Sequence, residues 1–365
     1  MKKVRVLVVD DSFFMRKLIS DLLAKSGLIE VVDTAKDGME AIEKIKKFKP
    51  DVVTLDVEMP KMNGLEALAE IMRSFPVPII MVSSLTKVEA DTTIQALQFG
   101  AFDFIPKPSG AISFDIGKVK DELVDKILIA SKQKEKWIGQ WNMMRRGLIR
   151  KPRQLEKSIE KVNGNGSIEG IVAIGTSTGG PKALQEVITK LPKNLPYAVL
   201  IVQHMPAGFT KSLANRLDSL SQIRVVEAED KQPLQPSTAY IAPGNYHMIV
   251  KRQSNQYIIR LNQNEPIGGH RPSVDVLFKS LADVPLNKVL VIMTGMGSDG
   301  TKGLQSLNKE KNVMMIAEDE STCVVFGMPK SAIKSGVIDM IVPLYDIANK
   351  IVETIQKQRG WQPWN

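Results

Sequence analysis

Short β-branched runs alternate with amphipathic stretches of helical period along most of this chain, and the rhythm is interrupted once, between residues 131 and 166. Ahead of the break, runs 4–9, 30–34, 52–55, 78–82 and 103–105 read as strands, and stretches such as 15–25 and 64–74 read as helices. Strands that alternate with helices are joined by crossovers and so lie parallel, which predicts one doubly wound sheet of five β-α units. Beyond the break, runs 171–174, 198–202, 223–226, 289–293, 313–316 and 338–342 resume the pattern. Two further runs, 247–251 and 257–261, joined by 252–256, read as a β-hairpin inserted into this second, mostly parallel α/β domain. The expected division is a domain at 1–130, a linker at 131–166, a second domain at 167–357 and a tail at 358–365.

A length of 365 residues suits two or three domains. The single cysteine, Cys323, cannot close an internal disulfide, and with only His204, His247 and His270 beside it no Cys-rich zinc module can form. The apolar stretch Val6 to Val9 stops at Asp10, too short for a secretory leader, and no run nears the ~18 residues of a membrane span. A cytoplasmic setting without direct membrane insertion is expected. The net charge of +9 is concentrated: residues 131–166 hold 10 basic and 3 acidic side chains, whereas 1–130 hold 18 and 20. Without an array of stacking aromatics, Trp137 and Trp141 standing alone, the stretch reads as a solvated basic linker whose first half can be helical, and no nucleic-acid partner is expected.

In open α/β sheets, ligands bind outside the carboxyl ends of the strands. There the first domain would gather Asp10, Asp11, Asp56, Ser83 and Lys107. Three clustered carboxylates repel one another unless a cation compensates, and Mg²⁺ with its oxygen ligands suits them. Asp56 could then accept a phosphoryl group, with the metal and Lys107 neutralising the transferring oxygens. Taken singly, Asp11 also reads as part of a helix cap, Asp56 as a turn residue and Lys107 as a solvated loop lysine. The segments V-L-V-V-D-D-S (6–12), T-L-D-V-E-M-P-K-M-N-G (54–64), M-V-S-S (81–84) and K-P (107–108) resemble a two-component receiver domain of flavodoxin-like fold. The resemblance implies Asp56 as phosphoacceptor and Asp10 and Asp11 as further Mg²⁺ ligands, with a backbone carbonyl near Val57 or Glu58. It also implies Ser83 and Phe104 as a switch pair and a cis bond at Lys107–Pro108.

In the second domain the strand at 171–174 runs into Gly175-Thr176-Ser177-Thr178-Gly179-Gly180-Pro181 and then a helical stretch. A dinucleotide site wants G-x-G-x-x-G, and Ser177 stands where its second glycine belongs. The spacing matches G-x-S-x-G, which presents a serine on a sharp turn beside backbone donors; Ser177 as a plain turn residue is the alternative. His204 follows the next strand and so shares the sheet edge, with His270 as rival base; His247, at the hairpin start, reads as structural. Asp299 follows a strand too, whereas Asp275 can serve the helix start beside the cap Ser273. Position along the sheet selects Ser177, His204 and Asp299, with N–H groups near Thr178 and Met296 stabilising an oxyanion.

The motifs I-G-T-S-T-G-G-P, Q-H-M-P, A-P-G, H-R-P-S-V-D and T-G-M-G-S-D-G resemble the chemotaxis protein-glutamate methylesterase (CheB) family, which shares the receiver-linker-esterase order. That resemblance implies hydrolysis of glutamyl γ-methyl esters on cytoplasmic chemoreceptor domains with release of methanol, deamidation of receptor glutamines, and a chemotaxis histidine kinase as phosphodonor. It implies Ser177, His204 and Asp299 as the triad, His270 and Met296 as site-lining residues, and an esterase step that needs no cofactor. A receiver beside a hydrolase further suggests that the first domain covers the Ser177 cleft until Asp56 is phosphorylated. A DNA-binding regulator would need a helix-turn-helix and a concentrated basic face, which the second domain lacks.

Overall fold

The computed structural model describes residues 2–108, 116–145, 167–254, 256–308 and 310–360. The chain divides into two compact units, 1–153 and 154–365. In the first, the order is β1 (Val4–Val9), α1 (Phe13–Ala24), β2 (Ile29–Ala35), α2 (Gly38–Phe48), β3 (Val52–Asp56), α3 (Gly64–Ser74), β4 (Ile79–Ser83), α4 (Lys87–Gln98), β5 (Asp103–Pro106), α5 (Ile116–Lys132) and α6 (Lys134–Arg145). The strands lie in the order β2-β1-β3-β4-β5, every pair parallel, which is the flavodoxin-like arrangement. β3 and β4 are buried at every position, so their sequences run apolar without alternation. Ser12, Asp37, Asn63 and Thr86 each accept a backbone N–H in the first turn of the helix they precede, fixing where the loops at the carboxyl edge end.

The first unit continues well into the stretch read as linker. α5 runs to Lys132, and α6 folds back onto the same domain. Trp137 is buried with its ring 6.4 Å from that of Phe102. The Trp141 indole N–H donates to the Met72 carbonyl at 3.0 Å, and its ring lies over Gly100, where a Cβ would come within 2.7 Å. Two aromatics four residues apart share one helix face, and covering that face fixes the helix, with Lys134 Nζ also donating to the Pro50 carbonyl at 3.1 Å while Lys136 stays exposed. Charge counting alone misreads this segment. Residues 146–166 of the expected linker lie outside the described residues.

In the second unit the order is β6 (Gly170–Thr176), α7 (Gly180–Ile188), β7 (Tyr197–Gln203), α8 (Phe209–Leu220), β8 (Arg224–Glu227), β9 (Thr238–Ile241), β10 (His247–Gln253), β11 (Gln256–Asn262), α9 (Val274–Ser280), β12 (Asn287–Ile292), α10 (Thr301–Leu307), β13 (Val313–Glu318), α11 (Met328–Lys334), β14 (Met340–Val342) and α12 (Leu344–Gln358). Seven strands form one parallel sheet ordered β14-β13-β12-β6-β7-β9-β8. β6 and β7 are buried throughout and form the spine of the core.

Two elements differ from the sequence reading. β9 was not anticipated: it is four residues long between Pro233, Pro236 and Pro243, and those breakers mask a fully buried strand that separates β8 from β7. The hairpin is a separate two-stranded sheet, and its pairing extends to Gln253 and Gln256, so its turn is two residues rather than five. Ser254, at φ 55°, takes the left-handed conformation that such a turn uses. Among the described residues no helix is long and apolar enough to cross a membrane.

Candidate active site

β6 lies between β12 and β7, and the chain reverses its direction of growth across the sheet there, which marks the crevice where doubly wound sheets hold ligands. Ser177 follows β6, His204 follows β7, and Asp299 lies in the loop after β12. Thr176 and Gln203 are register partners, so Ser177 and His204 leave the sheet side by side. The His204 backbone N–H donates to the Thr176 carbonyl at 3.2 Å. The buried Gln203 amide donates to both the Ser177 carbonyl (2.9 Å) and the His204 carbonyl (3.1 Å), clamping the two backbones together. On the other side, the Ser177 N–H donates to the Thr294 carbonyl at 3.0 Å.

Glycine makes the turn possible at two points. Gly179 precedes α7 at φ 78°, a conformation that side chains other than glycine resist, and a Cβ there would meet Val324 at 2.6 Å. A Cβ on Gly295 would stand 2.8 Å from the Ser177 Cβ, so the loop after β12 closes on the serine only because that side chain is missing.

The imidazole and the carboxylate are joined: His204 Nε2 lies 2.9 Å from Asp299 Oδ2, both side chains being 7% exposed. Asp299 also accepts from the Val274 N–H (2.7 Å), the Asp275 N–H (3.0 Å) and the Ser273 hydroxyl (2.9 Å). Burial alone would raise this carboxyl; the His204 ring and the Asp275 and Val274 N–H groups outweigh it and hold the pKa at about 2. The other ring nitrogen, His204 Nδ1, is buried without a hydrogen-bond partner. The ring is thus pinned at one nitrogen, leaving the second to act as an acceptor.

Of the rivals, His270 is in the same site, its ring stacked on that of His204 with centroids 3.9 Å apart and planes 9° from parallel. His247 is buried, with Nε2 3.1 Å from the Glu265 carbonyl, and has a structural place in the hairpin. Asp275 lies in the first turn of α9, but its carboxylate serves another helix, accepting from the Gly300 N–H (3.0 Å) and the Gly303 N–H (2.7 Å). Thr178 is buried, and its carbonyl accepts the Thr294 hydroxyl at 2.9 Å. Met296 lies in the loop held by Gly295, whose carbonyl accepts the N–H groups of Gly327 (3.1 Å) and Met328 (2.9 Å). Ser177's own N–H is committed to the Thr294 carbonyl, so it is not a spare donor at the turn. Sequence reasoning named Ser273 only as a cap, which it is, and did not see its second bond to Asp299; Gln203 entered only as part of the Q-H-M-P motif, and its clamping role was not read.

The first unit carries a second polar cluster. Asp10, Asp11 and Asp56 offer carboxylate oxygens that all lie within 4.8 Å of one another, Asp10 and Asp56 fully buried and Asp11 exposed. Lys107 Nζ lies 2.8 Å from Asp56 Oδ1 and 3.6 Å from Asp10 Oδ2. Burial and the Asp10 charge push Asp56 up to about 7 against the pull of Lys107. Burial also raises Asp10. Asp10 Oδ2 and Asp56 Oδ2 have no hydrogen-bond donor. Ser83 Oγ faces the Ser84 carbonyl (3.2 Å) and Glu89 Oε2 (3.4 Å). Glu89, which the sequence analysis did not single out, also accepts the Ser84 N–H at 2.5 Å. Phe104 is buried, its carbonyl accepting Lys126 Nζ at 2.6 Å. The cis bond among the described residues is Arg271–Pro272 and not Lys107–Pro108 as expected; Lys107 reaches both carboxylates from a trans linkage.

Residues 172–351 match the family model described as CheB methylesterase, and residues 6–114 match that of the response regulator receiver domain. A protein-glutamate methylesterase/protein-glutamine glutaminase of Geobacillus kaustophilus is 54% identical over 97% of this chain and 99% of its own length. The protein of the same name from Bacillus subtilis is 48% identical over 98% of this chain and 99% of its own. The crystal structure of the Thermotoga maritima CheB methylesterase catalytic domain is 48% identical, covering 50% of this chain and 97% of that one at a TM-score of 0.49.

Proposed function

We propose, from the premise that this chain belongs to the CheB methylesterase family and carries a receiver domain ahead of the catalytic one, that it is a phosphorylation-regulated protein-glutamate methylesterase and protein-glutamine glutaminase of chemotaxis. Its substrates are the methylated cytoplasmic domains of chemoreceptors, its phosphodonor is a chemotaxis histidine kinase, and it works in the cytoplasm.

The observation that carries the reading is the His204–Asp299 pair beside Ser177, with one imidazole nitrogen pinned and the other left as an acceptor. Ser177 Oγ attacks the ester carbonyl and His204 Nδ1 takes the hydroxyl proton, while Asp299 holds the ring and stabilises its charged form. The N–H groups of Thr178 and the Met296 region receive the oxyanion, where one such donor is worth roughly 2.7–4 kcal/mol. The C–O bond to the methoxy group breaks, His204 returns the proton, and methanol leaves. Water then cleaves the acyl-enzyme by the same steps. With a glutamine substrate the leaving group is ammonia. His270 supports the His204 ring from one face, and Met296 borders the ester.

In the receiver, the donor-starved oxygens of Asp10 and Asp56 fit a divalent cation, and with Asp11 they form an all-oxygen set suited to Mg²⁺. A backbone carbonyl at Val57 or Glu58 would complete the set, that of Val57 also accepting the Gly64 N–H at 2.9 Å. Bound there, Mg²⁺ supplies charge neutralisation for a phosphoryl group arriving at Asp56. Lys107 holds the Asp56 carboxylate in place, and Ser83 must leave Glu89 to reach a phosphoryl oxygen while Phe104 adjusts, forming the switch.

Methanol release from methylated receptor membranes tests the catalytic reading. Ser177→Ala is expected to lower it by about 10⁴-fold or more; a variant that retains wild-type turnover overturns the reading. A small-molecule phosphodonor with Mg²⁺ is expected to raise turnover in the full chain and to have no effect on Asp56→Asn, and an unchanged wild-type rate would remove the regulatory half.

A further inference from the structure

We propose that Asp275 is a positioning residue for the catalytic carboxylate, through a reciprocal exchange of caps between α9 and α10. The inference rests on the reading of Asp299 as the acid of a serine triad. Asp299, one residue ahead of Gly300, sends its carboxylate to the start of α9, where the N–H groups of Val274 and Asp275 donate to it at 2.7 and 3.0 Å. Asp275 sends its carboxylate back to the start of α10, where Oδ1 accepts from Gly300 at 3.0 Å and Gly303 at 2.7 Å. Each aspartate thus satisfies N–H groups of the helix that the other belongs to or precedes.

The exchange closes a ring at the triad. The Asp275 N–H donates to the Asp299 carboxylate, and the Asp275 carboxylate accepts from the residue that follows Asp299. Neither end can drift without breaking a bond at the other. The helices meet closely: a Cβ on Gly303 would stand 2.6 Å from the Phe278 Cβ, and one on Gly300 2.8 Å from Val274 Cγ1. Asp275 is 4% exposed and belongs to none of the groups assigned to the reaction.

What Asp275 supplies is an oxygen at a fixed reach. Burial and the Asp299 charge both work against its ionised form, so a second negative charge is the costly part of the arrangement. This separates a geometric role from a charge role. Asp275→Asn keeps an acceptor oxygen at the same distance and drops the charge; Asp275→Glu keeps the charge and displaces Gly300 by one methylene.

The experiment measures kcat and KM for methanol release by the full chain, with folding checked by circular dichroism. Asp275→Asn is expected to keep kcat within about 3-fold, while Asp275→Glu loses roughly 10- to 100-fold in kcat, the scale of a small misplacement of a catalytic group. KM stays within about 2-fold in both, since Asp275 does not touch substrate. Should Asp275→Glu fail to fold, Asp275→Ser, too short to reach Gly303, takes its place with the same expected loss. A folded but inactive Asp275→Asn overturns the proposal, as does wild-type kcat in Asp275→Glu or its Ser replacement. Absence of methanol release from the wild-type chain would instead refute the triad reading itself.

Discussion

Asp56 and Asp299 each sit in a loop or strand end at the carboxyl edge of a parallel sheet, and both are nearly removed from water, yet their acidities diverge: about 7 for Asp56 and about 2 for Asp299. Burial raises both. What differs is the supply of donors. Asp299 receives an imidazole, a hydroxyl and two backbone N–H groups. Asp56 receives Lys107 and the Val57 N–H on one oxygen, keeps the other bare, and faces Asp10. The Asp299 carboxylate has its donors in place as folded; the Asp56 cluster holds a deficit of positive charge that a divalent cation would offset.

The comparison breaks most visibly if the Asp299 site is corrupted at its carboxylate. Asp299→Asn keeps an oxygen for the Asp275 N–H and the Ser273 hydroxyl but turns a donor toward His204, and toward the Val274 N–H that shares that oxygen, which reverses the tautomer; kcat for methanol release should fall by about 10³- to 10⁴-fold while the fold persists. At the Asp56 site, Lys107→Met removes the cation that opposes the Asp56 shift. Phosphate incorporation from a small-molecule donor should fall by roughly 10- to 100-fold at neutral pH, on the scale of a lost general electrostatic contact, and recover in part as pH rises.

The two sites should also respond to pH with opposite sign. Asp56 titrates higher in the native chain than unfolded, so the native state holds the extra proton between about pH 4 and 7 and the receiver loses stability as pH rises through that window. Added Mg²⁺ should therefore raise the melting midpoint of the first unit at pH 8 and do so much less at pH 5, which calorimetry can read. Asp299 titrates lower when folded, so its contribution, roughly 2 kcal/mol, is present above its unfolded value and is lost as pH falls from about 4 to 2. The smallest effect tests donor supply one bond at a time: Ser273→Ala deletes one of the Asp299 donors and one cap, and should cost about 1–2 kcal/mol of stability with a rise in the Asp299 pKa.

Both sites were legible in the sequence as sets of residues, because parallel α/β topology sends every strand end to one edge, so that locating strands also locates chemistry. Ser177, His204 and Asp299 each lie just past a strand readable from its apolar run, as do Asp10, Asp56 and Lys107. Orientation was not legible. Nothing in Gln203-His204 says that Nε2 is the pinned nitrogen, and nothing in the H-R-P-S-V-D segment says that Asp275 reaches across to Gly303 while Asp299 reaches back. Those bonds join residues 24 to 95 positions apart whose approach depends on how helices and strand-end loops pack. β9 was hidden by its flanking prolines, and the docking of α6 onto the first unit, though not its helical character, by its charge.

The docking of α6 has a practical consequence for anyone who divides this polypeptide. Met72, Gly100 and Pro50, which meet that helix, all lie near the amino ends of the first unit's strands, at the pole remote from Asp56. A cut after residue 130 would strip away both tryptophans and bare the Gly100 surface beneath them, so a fragment that stops there is a different physical object from one that stops at 145. Titrations on the shorter piece would then report a destabilised receiver, and the blame would fall on the wrong end of the molecule.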